Sequence, residues 1–232
     1  MDKELDSYYQ TTLPSRYNPS KWKGDWFQEN AGLEEMYARI NALNPTLVID
    51  AGCGNNRHKA HIKNLIGFDA SPYEDVDIHC PILEAPFETE TADAVLALGS
   101  VQYISREYIL ANMEKIISWV KPGGLIEIRV MFNNTFSQEY HKVYDKDAVR
   151  YLWDDELRNE ITKKYNLEYV IKPWEYNAIA LPERLEKKYE KMKRKKVDTG
   201  LRDSQWLEEI KIKDSLMQQL NRQCWTWRKP NE

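Results

Sequence analysis

Little in this sequence suits a secreted, membrane-spanning or metal-binding protein. Its 232 residues include three cysteines, Cys53, Cys80 and Cys224. They are far apart and odd in number, which argues against a disulfide framework and fits a reducing compartment. The four histidines, His58, His61, His79 and His141, show no metal spacing, and neither C-x-x-C nor H-E-x-x-H occurs, so no metal is expected. No apolar run approaches the roughly 20 residues needed to span a bilayer. The opening MDKELDSYYQ is acidic and polar, unlike a signal peptide, and the expected location is the cytoplasm. A net charge of -4 gives no global attraction to nucleic acid or to an anionic membrane. Internal repeats and low-complexity linkers are absent as well.

What is present is a core. Hydrophobic residues make up 42% of the chain and aromatics 12%, enough for one α/β domain with a decorated end. Residues 1–32 read as an irregular aromatic arm, with Tyr8, Tyr9, Trp22 and Trp26 among polar residues. Leu33, Met36, Tyr37, Ile40 and Leu43 recur at helical spacing and predict a helix that stops before Asn44-Pro45. Short apolar runs at 47–50, 65–68, 76–80, 92–98 and 125–131 predict buried strands. Ser105 is placed to cap a helix with Ile109, Met113, Ile116, Ile117 and Val120 on its inner face, ended by Lys121-Pro122-Gly123-Gly124. Val149, Leu152, Trp153, Leu157 and Ile161 form a further helix face. Strands are expected at 167–171 and 224–228, with a helical insertion over 181–220 between them. Strands alternating with helices imply a Rossmann-like, mostly parallel, seven-stranded sheet covered on both faces. The core would span 33–180, with its last strand in 221–232.

The chemistry concentrates at Asp50-Ala51-Gly52-Cys53-Gly54, followed fifteen positions after Gly54 by Asp69. Two glycines let the backbone turn sharply and approach a ligand closely. A helix start after the loop would offer free N–H groups to a carboxylate. An acid at the tip of the second strand can accept two ribose hydroxyls. A dinucleotide site would need a third glycine where Arg57 stands, so a phosphate-free, ribose-containing ligand fits better.

These residues resemble the class I methyltransferase family in its compact small-molecule branch. VIDAGCGNN is similar to that family's first motif and IGFDAS to its second. ILEAPFETETADAVLALGSVQYIS resembles the segment from the adenine pocket through the fourth strand, and WVKPGGLIEIRV the turn and fifth strand that follow. The four occur in order over about residues 47–131. The resemblance implies S-adenosyl-L-methionine as cofactor, held by Asp50, Ala51, Gly52, Cys53, Gly54, Asp69, Ala70, Ser71, Ile82, Leu83 and Leu98. Two departures stand out. The segment from Gly54 to Asp69 is short, which reduces the first helix to a turn or two. The acid often found near the third strand is missing at Cys80-Pro81, which leaves adenine to backbone groups at Ile82-Leu83 and to apolar walls.

On the acceptor side, Tyr103 lies just beyond the fourth strand and His141 in a loop after the fifth; they are the candidate catalytic residues. His58, Lys59 and His61 read as solvated. The arm's position resembles the N-terminal lid of small-molecule enzymes, with core packing as the equal alternative. The expected function is methyl transfer to a small-molecule O or N acceptor. One alternative is an RNA- or protein-directed enzyme that uses the basic stretch Lys187 to Lys196. Another is a catalytically silent binding module. Oligomeric state is not written in the sequence.

Overall fold

The computed structural model describes residues 32–103, 105–131, 153–177 and 221–231. The aromatic arm up to residue 31, His141, the 181–220 insertion with its Lys187–Lys196 stretch, and Val149 and Leu152 lie outside the described residues.

Helix α1 (Leu33–Asn41) precedes β1 (Val48–Ala51), β2 (Leu65–Asp69) and the two-residue β3 (Ile78–His79). Strand β4 (Ala92–Leu98), α2 (Arg106–Trp119), β5 (Val120–Met131) and α3 (Asp155–Lys164) follow. Strands β6 (Glu168–Asn177) and β7 (Asn221–Arg228) complete the sheet. The strand order is 3-2-1-4-5-7-6. Strands β1 to β5 pair in parallel, while β7 runs antiparallel to both β5 and β6. The sheet is therefore mixed, with one reversed strand inserted beside β5.

Both faces are covered, as the run of apolar strands demands. Ile49, Ala51, Val95, Ile126 and Ile128 pack on one face with Ile109, Met113 and Ile116 of α2 and Leu157 and Ile161 of α3. Val48, Ala94, Leu96 and Leu125 pack on the other with Leu33, Met36, Tyr37 and Ile40 of α1. Both α2 and α3 start at the side-chain caps that their sequences carry. Ser105 Oγ accepts the Tyr108 N–H at 3.3 Å and Asp154 Oδ1 accepts the Leu157 N–H at 2.8 Å. Each such cap contributes about 1 kcal/mol.

Several boundaries differ from the sequence expectation. Leu43 lies beyond the end of α1 and is exposed rather than on the buried face. Lys121 to Gly124 does not separate helix from strand. It is absorbed into β5 as an irregularity between the pairs Ala92–Val120 and Ala94–Leu125. The third strand shrinks to Ile78–His79, and β6 runs on to Asn177 because β7 supplies partners along its length. Trp153 is fully buried but sits just before α3, where its indole N–H donates to the Val101 carbonyl at 2.6 Å.

One buried polar contact docks α1 onto the sheet. Arg39 Nε and Nη2 donate to the two oxygens of Glu127 at 2.9 and 3.1 Å, and Thr226 Oγ1 donates to Glu127 Oε2 at 2.7 Å. The forked geometry ties α1, β5 and β7 together at one carboxylate.

Candidate functional site

The chain leaves β1 toward β2 and β3 on one side, and β4 opens the other half of the sheet on the opposite side. Such a switch of direction leaves a crevice beyond the carboxyl ends of adjacent strands. The Ala51–Gly54 loop and the Gly99-Ser100 turn end the two strands that flank this crevice.

Gly52 has φ +76 and Gly54 φ +58, both in the region that favours glycine. Their surroundings differ. A Cβ built on Gly52 would stand 2.3 Å from the Ser100 Cβ, so the loop is pressed against the turn after β4. A Cβ on Gly54 would meet nothing within 4 Å among the described residues. Gly52 is thus required by protein packing, whereas no described residue crowds Gly54.

As the short segment from Gly54 to Asp69 implies, the first helix is reduced to one 3-10 turn, Arg57–Ala60, entered through Asn56 at φ +53. A single turn has no developed dipole, so the loop's own N–H groups take over. Asp69 organises them. Its Oδ2 accepts the Gly54 N–H and its Oδ1 the Ser71 N–H, each at 2.8 Å. Burial pushes the Asp69 carboxyl up from its ordinary value while these two N–H groups and the Ser71 hydroxyl hold it down. Each carboxylate oxygen has a second lone pair. With the Ser71 hydroxyl also on the carboxylate, Asp69 can still receive one further hydroxyl donor, or two where the serine turns away, while it pins the loop.

Asp50 is 1% exposed, and its Oδ2 has no hydrogen-bond partner among the described residues. Burial pushes its carboxyl up to about 7, with Asp69 adding to the rise and Arg57 opposing it. An unmatched buried carboxylate oxygen is costly, and the raised carboxyl relieves that cost by holding its proton until near neutral pH.

Ala51 and Cys53 are buried in the loop and Ala70 is half-buried beside Asp69. Burial raises the Cys53 thiol well above its ordinary value, with Asp50 and Asp69 adding to the rise, which keeps it an unreactive packing group. Ile82 and Leu83 open a 3-10 turn, Ile82–Glu84, closed by the Glu84 N–H to the Pro81 carbonyl at 3.0 Å. Ile82 is buried, Leu83 exposed and Leu98 half-buried. Tyr103 is buried. Beside it, Gln102 Oε1 accepts the Met131 N–H at 2.6 Å and ties the turn after β4 to the end of β5.

His58 corrects the sequence reading. It is 3% exposed, accepts or donates to the Tyr37 hydroxyl at 2.8 Å, and is pushed down to about 3 chiefly by burial. Lys59 and His61 are exposed as expected, and His61 stacks on Tyr37 at 4.7 Å. Two polar residues escaped sequence reasoning. Asn56 donates to the Asp75 carbonyl at 2.9 Å and to Asp77 Oδ2 at 3.1 Å, bracing the loop from below. Ser100 carries a buried hydroxyl without a partner among the described residues. The Asn55-Asn56 pair could have flagged the first; no pattern marks a lone serine after a strand.

No family model and no curated protein matches the chain. Solved structures do. A Burkholderia thailandensis 1,6-didemethyltoxoflavin-N1-methyltransferase, with its substrate and S-adenosylhomocysteine bound, superposes with a TM-score of 0.61 at 15% identity. The match covers 98% of this chain and 89% of that one. The Haemonchus contortus phosphoethanolamine N-methyltransferase 2 follows at TM-score 0.60 and 18% identity, over 97% of this chain and 60% of that one. The cyclase SpnF matches at TM-score 0.59 and 15% identity, over 91% and 86%. At these identities the likeness is one of fold, and the chain has the fold of the class I S-adenosylmethionine-dependent methyltransferases.

Proposed function

We propose that this chain binds S-adenosylmethionine and transfers its methyl group to a small-molecule O or N acceptor. The observation that carries the reading is the Asp69 carboxylate. It clamps the Gly54 and Ser71 N–H groups at the carboxyl ends of β1 and β2, beside space over Gly54 that no described residue fills. A carboxylate with spare lone pairs suits ribose hydroxyls, and the unpaired Asp50 Oδ2 suits the cationic amino-acid end. The residues present therefore fit this cofactor. The Cys80-Pro81 position offers adenine no acid, so the Ile82-Leu83 backbone and the Leu98 side chain would hold it.

When bound, the cofactor supplies a sulfonium-activated methyl group. The protein's part is to align the acceptor, exclude water and, where needed, accept a proton. No protein nucleophile is required. Tyr103, buried beyond β4, is the acceptor-side residue best supported by position. His141 keeps its role as a candidate base on sequence alone, as does the aromatic arm as a lid.

Two measurements test the reading. Calorimetry with S-adenosylhomocysteine should show saturable binding. Incubation with methyl-labelled cofactor and fractionated cell extract should then label a low-molecular-weight fraction. The same fold serves the cyclase SpnF, so tight binding without label transfer would favour the silent binding module. Label in the RNA or protein fraction would favour a macromolecular acceptor, for which Lys187–Lys196 is the only sequence support.

A further inference from the structure

Beyond Leu98 the backbone of β4 gives β5 one more bond, from the Gly99 N–H to the Arg129 carbonyl at 2.7 Å. A parallel ladder that ran on would bring the Met131 N–H to the Gly99 carbonyl and the Met131 carbonyl to the Val101 N–H. Gly99, at φ +93, turns the chain away instead. Both Met131 groups are matched all the same. Gln102 Oε1 accepts the Met131 N–H at 2.6 Å, and the Trp153 N–H donates to the Met131 carbonyl at 3.1 Å. The Trp153 indole N–H then donates to the Val101 carbonyl at 2.6 Å. Three hydrogen bonds thus close a ring through Val101-Gln102, Met131 and Trp153, and all four residues are buried.

We infer that Gln102 is a positioning residue for methyl transfer. Its carboxamide stands in for the strand that β4 no longer supplies, and so fixes the turn carrying Tyr103 to the end of β5. This rests on the proposed function and adds a residue to its acceptor side. Met131 presents a donor, so only the carboxamide oxygen can face it. Without that oxygen a buried N–H loses its acceptor, which is costly enough to shift the turn. Tyr103 follows Gln102 directly and is buried too. The connection to α3 leaves β5 at Met131 and returns at Trp153, so the same ring holds both of its ends. The ring lies on the β5 side of β4, and β1 with its loop lies on the other. Gln102 therefore acts on the acceptor's placement and leaves the Asp69 clamp alone.

Two variants test this. Gln102→Met keeps the length and volume of the side chain but removes the acceptor. Gln102→Glu, charged or neutral, still offers Met131 an oxygen. Amide exchange at Met131 should quicken at least about tenfold in Gln102→Met and stay within about threefold of the parent in Gln102→Glu. Turnover is read with saturating methyl-labelled S-adenosylmethionine and the low-molecular-weight extract fraction as acceptor. It should fall at least about tenfold in Gln102→Met, since a misplacement of about 1 Å can cost about 100-fold. The KM for S-adenosylmethionine and the affinity for S-adenosylhomocysteine should stay within about twofold, because ground-state cofactor binding is untouched. Gln102→Glu should recover most of the turnover. An equal loss of turnover and of S-adenosylhomocysteine affinity means general damage and overturns the inference, as does loss of cooperative melting in Gln102→Met. Gln102→Glu no more active than Gln102→Met also overturns it. Full turnover in Gln102→Met overturns the inference alone, whereas a parent that transfers no label overturns it together with the proposed function.

Discussion

The Asp69 carboxylate accepts the Gly54 N–H at 2.8 Å, so the end of β2 sets the shape of the loop after the neighbouring β1. The same side chain therefore serves the loop and, in the proposed function, the ribose. Asp69→Ala should weaken S-adenosylhomocysteine at least about tenfold, since hydrogen bonds to a charged acceptor are worth roughly 1.5–3 kcal/mol each. It should also lower the melting temperature, because the Gly54 and Ser71 N–H groups lose their acceptor. Calorimetry and a melting curve on the one variant read both effects. Unchanged affinity would remove Asp69 from the site.

The two loop glycines should fail in different ways. Gly52→Val drives a side chain into Ser100, where a Cβ already stands 2.3 Å from the serine Cβ. The variant should lose stability first and binding as a consequence. Gly54→Ala meets open space and bears only the left-handed backbone penalty of roughly 1–2 kcal/mol. It should remain folded yet bind the cofactor poorly, since the new methyl projects into the room left for the ligand. Thermal melts with and without S-adenosylhomocysteine separate the two. A folded, fully stabilisable Gly54→Ala protein would move the ligand away from that loop.

How much of this was legible in the sequence follows the range of the interaction. The β1 loop, the acid at the tip of β2 and the Ser105 cap are local patterns, and each stands where its residues imply. The Arg39–Glu127 pair spans 88 positions and joins two charged residues that look solvated in isolation. His58 likewise reads as one of a basic cluster, yet Tyr37 and α1 bury it. Ser100 becomes visible only when β4 is laid beside β1 and its hydroxyl is found unmatched. The Lys121–Gly124 turn ends a helix in sequence terms, but it is drawn into β5, where the Gly123 N–H and the Gly124 carbonyl bond the Lys229 backbone after β7.

Arg39→Ala tests the docking of α1. It leaves Glu127, 5% exposed in its side chain, with the Thr226 hydroxyl and the charge of nearby Arg129 in place of the forked ion pair. Breaking a buried ion pair from one side costs about 3–5 kcal/mol, and the partial exposure of Arg39 places the loss at the lower end. Melting should fall by several degrees. Adding Glu127→Gln to Arg39→Ala should recover part of the loss, because the uncompensated charge disappears. A double variant no more stable than the single would show that packing, not charge, holds the helix.

Asp50 gives the protein a pH dependence whose sign can be worked out. Its carboxyl is near 3.8 when unfolded and is pushed up to about 7 by burial in the fold. Between these values the unfolded chain has lost the proton and the native state still holds it. Stability from this group therefore falls as pH rises from about 4 to about 7, and is flat above. Asp69 and Glu127 are raised by burial too and act in the same direction. Burial works against Asp93 as well, but the Lys121 ammonium and the Leu47 and Thr46 N–H groups outweigh it and hold that carboxyl at about 2, so its contribution is lost only below that window. Arg57, Asp69, Tyr37 and Cys53 are the titratable or charged groups coupled to Asp50. Asp50→Asn stays neutral at every pH. It should melt at least about 3 °C above the parent at pH 8, since each tenfold change in acidity on folding is worth about 1.4 kcal/mol. The gain should shrink toward pH 4. Ligand binding runs the other way: a cationic end favours the ionised carboxylate, so the parent's affinity for S-adenosylhomocysteine should climb through pH 7 and that of Asp50→Asn should not. Melting curves and calorimetry from pH 5 to 8.5 on both proteins decide it. Parallel pH profiles would remove Asp50 from the titration and leave the unpaired Oδ2 a packing feature of β1.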